Sequence, residues 1–233
     1  MLHGRQIKTI FARVSGGYDR ANHLASLGID FYWRWRLTRL VAKKHPQKIA
    51  DFATGSGDVA FFLRKHLEKS TEIFAYDFSP EMLERARQKQ KKRPVAEKIA
   101  FREADCMNLS SLPEKPFDVC TIAFGVRNFL DRKQGLSQIR QTLRPSGTLF
   151  VLEFSQPYRW LRPFYRAYLK FIMPLIVKPI AQDGMDYRYL TASINAFPTA
   201  PSFTTELLEC GFTHVKTRRL TGGIVAIHEA FFE

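Results

Sequence analysis

Eight residues restrict the architecture of this 233-residue chain more than any others: Asp51-Phe52-Ala53-Thr54-Gly55-Ser56-Gly57-Asp58. Before them, Lys48 to Ala53 is a short apolar run. After them, Val59 to Leu67 carries apolar residues at helical spacing, so the segment reads as strand, tight glycine turn, helix. Two glycines in such a turn let a ligand lie close to the backbone amides at the helix N-terminus.

The same alternation continues downstream. Ile73 to Tyr76 reads as a second strand ending in Asp77, and Ser79 then caps a helix with Pro80 at its first position and Glu81 in its first turn. Ile99 to Arg102 is a third strand, Phe117 to Phe124 a fourth of the kind buried on both faces, Asp131 to Leu143 a helix and Thr148 to Phe154 a fifth strand. From Ser155 to about Pro201 the chain turns aromatic, basic and proline-containing, as expected of an insertion laid over a sheet. Phe203 to Cys210 is a further helix stopped by Gly211, and His214 to Leu220 and Ile224 to Phe232 form a hairpin around Thr221-Gly222-Gly223. Helical stretches cover roughly Arg5 to Leu27, with a break at Gly16-Gly17, and Phe31 to Lys44. The expected fold is α/β: a mostly parallel, doubly wound, seven-stranded sheet with a C-terminal antiparallel hairpin.

The glycine turn admits two ligand classes. Gly55 to Ala60 satisfies GxGxxA and Asp77 follows about 20 residues on, as in a dinucleotide site. Yet Asp51 and Asp58 flank the glycines and place negative charge where a pyrophosphate would lie, which a cationic sulfonium tolerates better. Asp105, just past the third strand, suits an adenine amino group with help from the Cys106 amide. S-adenosyl-L-methionine therefore fits better than NAD. The expected cofactor contacts are Asp51, Thr54, Gly55, Ser56, Gly57, Asp77, Phe78, Asp105, Cys106 and Ala123.

Lys and Arg number 36 against 22 Asp and Glu, a net charge of +14 that favours anionic partners. Cys106, Cys120 and Cys210 form no CxxC pair and the six histidines no HxxxH or HExxH pair, so neither a disulfide framework nor a protein-bound metal is expected. Residues 1–13 are basic and acid-free but lack the apolar core of a secretory signal, a transit peptide being the weaker alternative. The most apolar stretch, Leu169 to Ile180, is interrupted by Lys170, Pro174, Lys178 and Pro179 and falls short of the ~20 residues that span a bilayer. The unpaired cysteines point to a reducing cytoplasm, which is the location expected, with a peripheral place on the inner face of the membrane as the variant.

Several segments carry a narrower resemblance: Phe11 to Asn22 (FARVSGGYDRAN), Ser26-Leu27-Gly28 leading to Trp33, Phe124-Gly125-Val126-Arg127-Asn128, Leu152-Glu153-Phe154-Ser155, Tyr187-Arg188-Tyr189-Leu190 with Ser193-Ile194, Phe197-Pro198, and Leu220 to His228. With the glycine turn, Asp77 and Asp105, they resemble the ubiquinone/menaquinone biosynthesis C-methyltransferase family, from Phe11 to the end of the chain. The resemblance implies the class I S-adenosylmethionine-dependent methyltransferase fold in a single domain: N-terminal helices in residues 1–46, a cofactor-binding core in 47–155, a helical substrate lid in 156–202, and a C-terminal helix and hairpin in 203–233. It implies methylation of a ring carbon of a prenylated quinol, demethylmenaquinol to menaquinol first among the choices. Two positions depart from the family pattern: Ser56 stands where threonine is common, and Ala192 where a glutamate is usual.

A neutral aromatic carbon is a poor nucleophile, and loss of a phenolic proton, with a pKa near ~10, activates it. Arg127, just past the fourth strand and always charged, is the expected catalytic group, with Tyr18, Asn128, Tyr187 and His228 as substrate contacts and Asp19 and Glu153 as secondary candidates. His228 by itself reads more simply as a core histidine than as a base. The insertion, with Trp160, Leu161, Phe164, Tyr165, Tyr168, Leu169, Phe171, Ile172, Met173, Leu175, Ile176 and Val177 beside Arg159, Arg162, Arg166, Lys170 and Lys178, suits a lid over a prenyl chain that also rests on anionic lipid. A plain buried helix explains the apolar residues nearly as well. The competing readings are an RNA methyltransferase using the basic surface and a non-catalytic scaffold of a quinone-biosynthesis complex. No RNA-binding module is recognised, and the densest basic run, Lys89 to Arg93, follows a helix as a solvated face. Nucleic acid is therefore not an expected partner.

Overall fold

The computed structural model describes residues 23–94, 98–177 and 187–233. Among them, seven strands form one sheet in the order β3-β2-β1-β4-β5-β7-β6. The first five strands, β1 (Lys48–Phe52), β2 (Glu72–Asp77), β3 (Ala100–Glu103), β4 (Phe117–Ala123) and β5 (Leu143–Phe154), are parallel, and β6 (His214–Leu220) and β7 (Val225–Phe231) add the antiparallel hairpin. The strand order reverses between β1 and β4. Ligands of open parallel sheets bind at the carboxyl edge at such a reversal.

Alternating strand residues divide the core. Ile49, Ala75, Val119, Phe150, Leu152 and Ile227 pack under α1 (Ile29–Ala42), α2 (Asp58–His66) and α3 (Pro80–Lys91), which contribute Trp33, Leu37, Leu63 and Leu83. Ala50, Phe52, Tyr76, Ile122 and Val151 pack on the other face, with Leu136 and Ile139 of α4 (Arg132–Arg140). Helix starts follow local chemistry: Ser79 Oγ accepts from the Met82 amide and Asp131 Oδ1 from the Gln134 amide.

Element boundaries shift from expectation by one to five residues, α4 for example ending at Arg140 and not Leu143, and two of the shifts have a visible local setting. The last helix, here α8, spans Ala200–Glu209 and begins three residues early, because Thr199 caps it and Pro201 sits in its first turn, where a proline is tolerated. Strand β5 begins at Leu143, its pairing with β4 shifted by an irregularity between Phe117 and Val119. The insertion folds as α5 (Arg162–Ala167), a π-helical turn Tyr168–Ile172 and α6 (Met173–Val177), followed by α7 (Tyr187–Ala196). No helix among the described residues is long and apolar enough to cross a membrane.

Candidate functional site

The loops leaving β1, β2, β3 and β4 converge on one cavity of about 600 Å³ at the carboxyl edge. Thr54, Gly55 and Ser56 line it after β1, Asp77 and Phe78 after β2, Asp105 and Cys106 after β3, and Ala123, Arg127 and Asn128 after β4. Sequence-distant residues are thus brought together. Gly55 has φ +57°, and Gly57, at the cap of α2, has φ +87° with Phe61, Phe101 and Ala86 where a Cβ would stand.

Asp77 ends β2 with its carboxylate fixed from two sides: Oδ2 accepts from the Gly55 amide at 2.7 Å and Oδ1 from the Ser79 amide at 3.0 Å. Burial pushes its pKa up to about 6, against the pull of these N–H bonds. Asp51 does not line the cavity. It is 1% exposed and braces the loop from below, accepting from Thr54 Oγ1 and Thr121 Oγ1, each at 2.6 Å, and burial pushes it up to about 6 as well. Gly57 also stands behind the lining. Both support the loop rather than face a ligand.

Asp58 lines the cavity, but not as the bare charge assumed in weighing a dinucleotide. Lys89 Nζ lies 2.8 Å from it, and His23 and Arg34 approach to 3.7 and 3.8 Å. The electrostatic exclusion of a pyrophosphate is correspondingly weaker. The donor set still fits S-adenosylmethionine: a buried carboxylate at the end of β2 for ribose hydroxyls, a slot walled by Phe78, Met82 and Met107 for a purine, and Asp105 at its rim.

Beyond the nucleoside slot the wall turns aromatic and aliphatic, with Phe154, Leu161, Phe164, Tyr165, Leu169 and Ile194. Arg127, in the loop after β4, meets this apolar wall at Phe154. Its Nη1 lies 2.9 Å from Glu153 Oε1 and donates also to the Phe124 carbonyl, and its guanidinium stacks 5.3 Å from the Phe154 ring centroid. Burial raises the pKa of the Tyr165 phenol well above its ordinary value, only partly offset by the Arg127 charge. Tyr165, expected only as one of the insertion's lid residues, thus lines the site within reach of the Arg127 charge.

His228 is corrected. It is 2% exposed, lies on β7 opposite Val151, and packs edge-on against Phe203 with Thr217 Oγ1 at 3.0 Å from Nδ1. That places it about 10 Å down the strand from the edge where the cavity opens, inside the sheet–helix core. Desolvation pulls its pKa down to about 4. Tyr18 lies outside the described residues, as does the side chain of Tyr187, which opens α7. The cysteines are free and buried, and no group of residues suited to a metal ion occurs among the described residues.

A model of the ubiE/COQ5 methyltransferase family matches residues 1–231. Among relatives, a demethylmenaquinone methyltransferase of Bacteroides fragilis is 36% identical over 97% of this chain and 91% of its own length. One from Thermus thermophilus is 37% identical (94% and 98%), and a ubiquinone/menaquinone biosynthesis C-methyltransferase of Syntrophotalea carbinolica is 38% identical (97% and 93%). Among solved structures, a SAM-dependent methyltransferase of Thermotoga maritima superposes with a TM-score of 0.65 at 13% identity, covering 97% of this chain and 99% of its own. An O-methyltransferase family protein of Burkholderia thailandensis gives 0.65 at 13% identity (95% and 62%).

Proposed function

This chain belongs to the ubiE/COQ5 methyltransferase family and has the class I methyltransferase fold; from that premise we propose that it methylates a ring carbon of a reduced prenylated quinone, with demethylmenaquinol as the substrate. One observation carries the choice: a single cavity is lined both by the loops that follow β1 to β4, Arg127 and Asn128 among them, and by an aromatic, aliphatic set from the insertion. An amphiphilic acceptor with a polar head and an apolar tail matches that pair of surfaces.

When bound, S-adenosylmethionine supplies an electrophilic methyl group, which replaces the ring hydrogen of the quinol. Asp77 accepts from ribose hydroxyls and Asp105 from the adenine amino group, with Thr54, Gly55, Ser56, Phe78, Cys106 and Ala123 shaping the slot. Asp51 and Gly57 hold the loop that does so. Arg127 stabilises the quinolate whose negative charge activates the ring carbon. Its pairing with Glu153 fixes the guanidinium and tempers its net charge, so its contribution is directional hydrogen bonding more than a free cation. Tyr165, kept protonated by burial, is a donor and not a base. The phenolic proton passes to water as the quinolate forms; after methyl transfer the ring carbon gives up its displaced hydrogen as a proton and the oxygen is reprotonated, so the ring regains aromaticity with one proton released overall. The apolar chamber excludes water and holds the ring against the methyl group, where alignment supplies much of the acceleration.

The outer face of the insertion supports peripheral contact with an anionic membrane, where the substrate's prenyl chain resides, at the cytoplasmic surface. Incubation with methyl-labelled S-adenosylmethionine and either demethylmenaquinol or a reduced total cell extract tests the reading. Label is expected in the solvent-extracted quinone; label in RNA would overturn it.

A further inference from the structure

Arg34, on α1, is 8% exposed and lines the same cavity as Thr54, Ser56 and Asp58. Its Nη1 donates to Asp30, one turn earlier, and Nη2 stands 3.8 Å from Asp58. Its Nε has no hydrogen-bond partner among the described residues. A buried guanidinium N–H without an acceptor is costly and marks a place where an acceptor belongs. The neighbouring acids are already engaged: Asp30 accepts from Ser26 and His23 as well, and Asp58 from Lys89.

Position along the sheet edge says which acceptor. Asp105 follows β3, Asp77 follows β2 and Thr54 to Ser56 follow β1, while the Arg34 guanidinium lies 5.7 Å from the ring of Phe124, which follows β4. Arg34 therefore stands two to three strand spacings, about 10–14 Å, from the adenine end. That is the far end of a nucleoside carrying an amino-acid tail. We propose that Arg34 binds the α-carboxylate of the cofactor's methionine moiety through its planar fork. This rests on the reading of the cavity as an S-adenosylmethionine site.

The test compares two neutral-sulfur ligands of the whole protein by calorimetry: S-adenosylhomocysteine, and 5′-methylthioadenosine, which has the same nucleoside but no amino-acid tail. Arg34→Met is expected to weaken S-adenosylhomocysteine binding about 10- to 100-fold, as for a lost charged hydrogen bond, while methylthioadenosine affinity stays within about threefold. Arg34→Lys keeps the charge beside Asp30 and covers the case in which Arg34→Met does not fold; it loses part of the same discrimination. Equal loss of both ligands, or loss of neither, overturns the proposal. Wild-type protein that binds neither nucleoside overturns the cofactor reading itself, before any variant is compared.

Discussion

Glu153 Oε1 lies 2.9 Å from Arg127 Nη1, and both side chains are almost wholly buried, with Glu153 also accepting from the Arg127 and Phe154 amides. A residue at the end of β5 thereby fixes the arginine that follows β4. Arg127→Met is expected to reduce turnover at least about 100-fold with S-adenosylhomocysteine affinity within about threefold. It leaves Glu153 as an uncompensated buried charge, at a cost of about 3 kcal/mol. Adding Glu153→Gln, which keeps an oxygen for the two amides, restores most of the melting temperature and none of the turnover. Recovery of turnover in the double variant would show that Arg127 acts only on stability.

His228 provides the opposite kind of test, because it is buried in the sheet–helix core and is not among the residues that line the cavity. Its folded-state pKa is depressed to about 4 from 6.5, so between those values the unfolded chain binds a proton that the folded one refuses, and stability falls as pH falls through that window. Replacement by Gln, which cannot titrate, removes this loss. The stability difference between His228→Gln and wild type is expected to shift in the variant's favour by about 3 kcal/mol from pH 7 to pH 4, read from urea unfolding at each pH. Turnover at pH 7 stays within about twofold; a collapse would return His228 to the substrate site.

What the sequence revealed and what it concealed divide along one line. Strand–loop–helix units were readable because each is encoded locally: the Ser79 and Asp131 caps, the Gly55–Gly57 turn and the apolar runs need no distant partner. The residues behind the loop ends were readable as candidates for the same reason. Concealed were properties set by packing across the chain. Asp58 reads as a free charge because Lys89 is 31 residues away, and His228, a core histidine by its own pattern, is a substrate candidate only while its alternation within β7 leaves open which sheet face α8 covers. Arg34 gave a faint local signal, an i,i+4 pair with Asp30 on the face of α1 that also carries Trp33 and Leu37. Only the fold shows that this face meets the cavity.

Gly125 and Ala53 join the loops after β4 and β1. A Cβ on Gly125 would stand 2.6 Å from the Ala53 Cβ, too close for either to stay in place. Gly125→Ala is expected to push the cofactor loop outward and weaken S-adenosylhomocysteine binding about tenfold. Ala53 has φ +49°, a conformation glycine adopts without strain. Ala53→Gly therefore removes the clash and is expected to rescue the binding of Gly125→Ala, a coupling that a double-mutant cycle measures directly. Additive losses would mean that the two loops do not press on each other.

Asp77, pushed up to about 6, ties cofactor binding to pH. Above that value it is an acceptor for ribose hydroxyls; below it, protonation removes that capacity. Affinity for S-adenosylhomocysteine is expected to decline by up to about tenfold per unit below pH 6, with methylthioadenosine following in parallel because the ribose is common to both. Stability of the ligand-free protein moves the other way for this group and for Asp51. Each has a raised folded pKa, so its stabilising contribution is fully present below 3.8 and is lost as pH rises through about 6. Flat affinity between pH 7 and 5 would remove Asp77 from the ribose.

The insertion is apolar on two sides. Leu161, Tyr165, Leu169 and Met173 line the cavity, while Trp160, Phe164, Phe171 and Leu175, stepping by four, seven and four residues, are 67%, 69%, 60% and 73% exposed. Phe164 also reaches the cavity wall, so the outer stripe and the apolar chamber are continuous through it. Water is a poor solvent for such a stripe, and Arg159, Arg162, Arg166 and Lys170 interleave it with positive charge. Vesicles containing anionic phosphatidylglycerol are therefore expected to bind the protein, more weakly as salt is raised from 50 to about 500 mM, since the surface potential is screened within a Debye length. Phe171→Ser with Leu175→Ser, both remote from the slot, should reduce that binding at least about tenfold while leaving turnover of a short-chain soluble quinol within about twofold. If turnover of vesicle-borne quinol survives the same pair of changes, the stripe has no part in reaching the substrate.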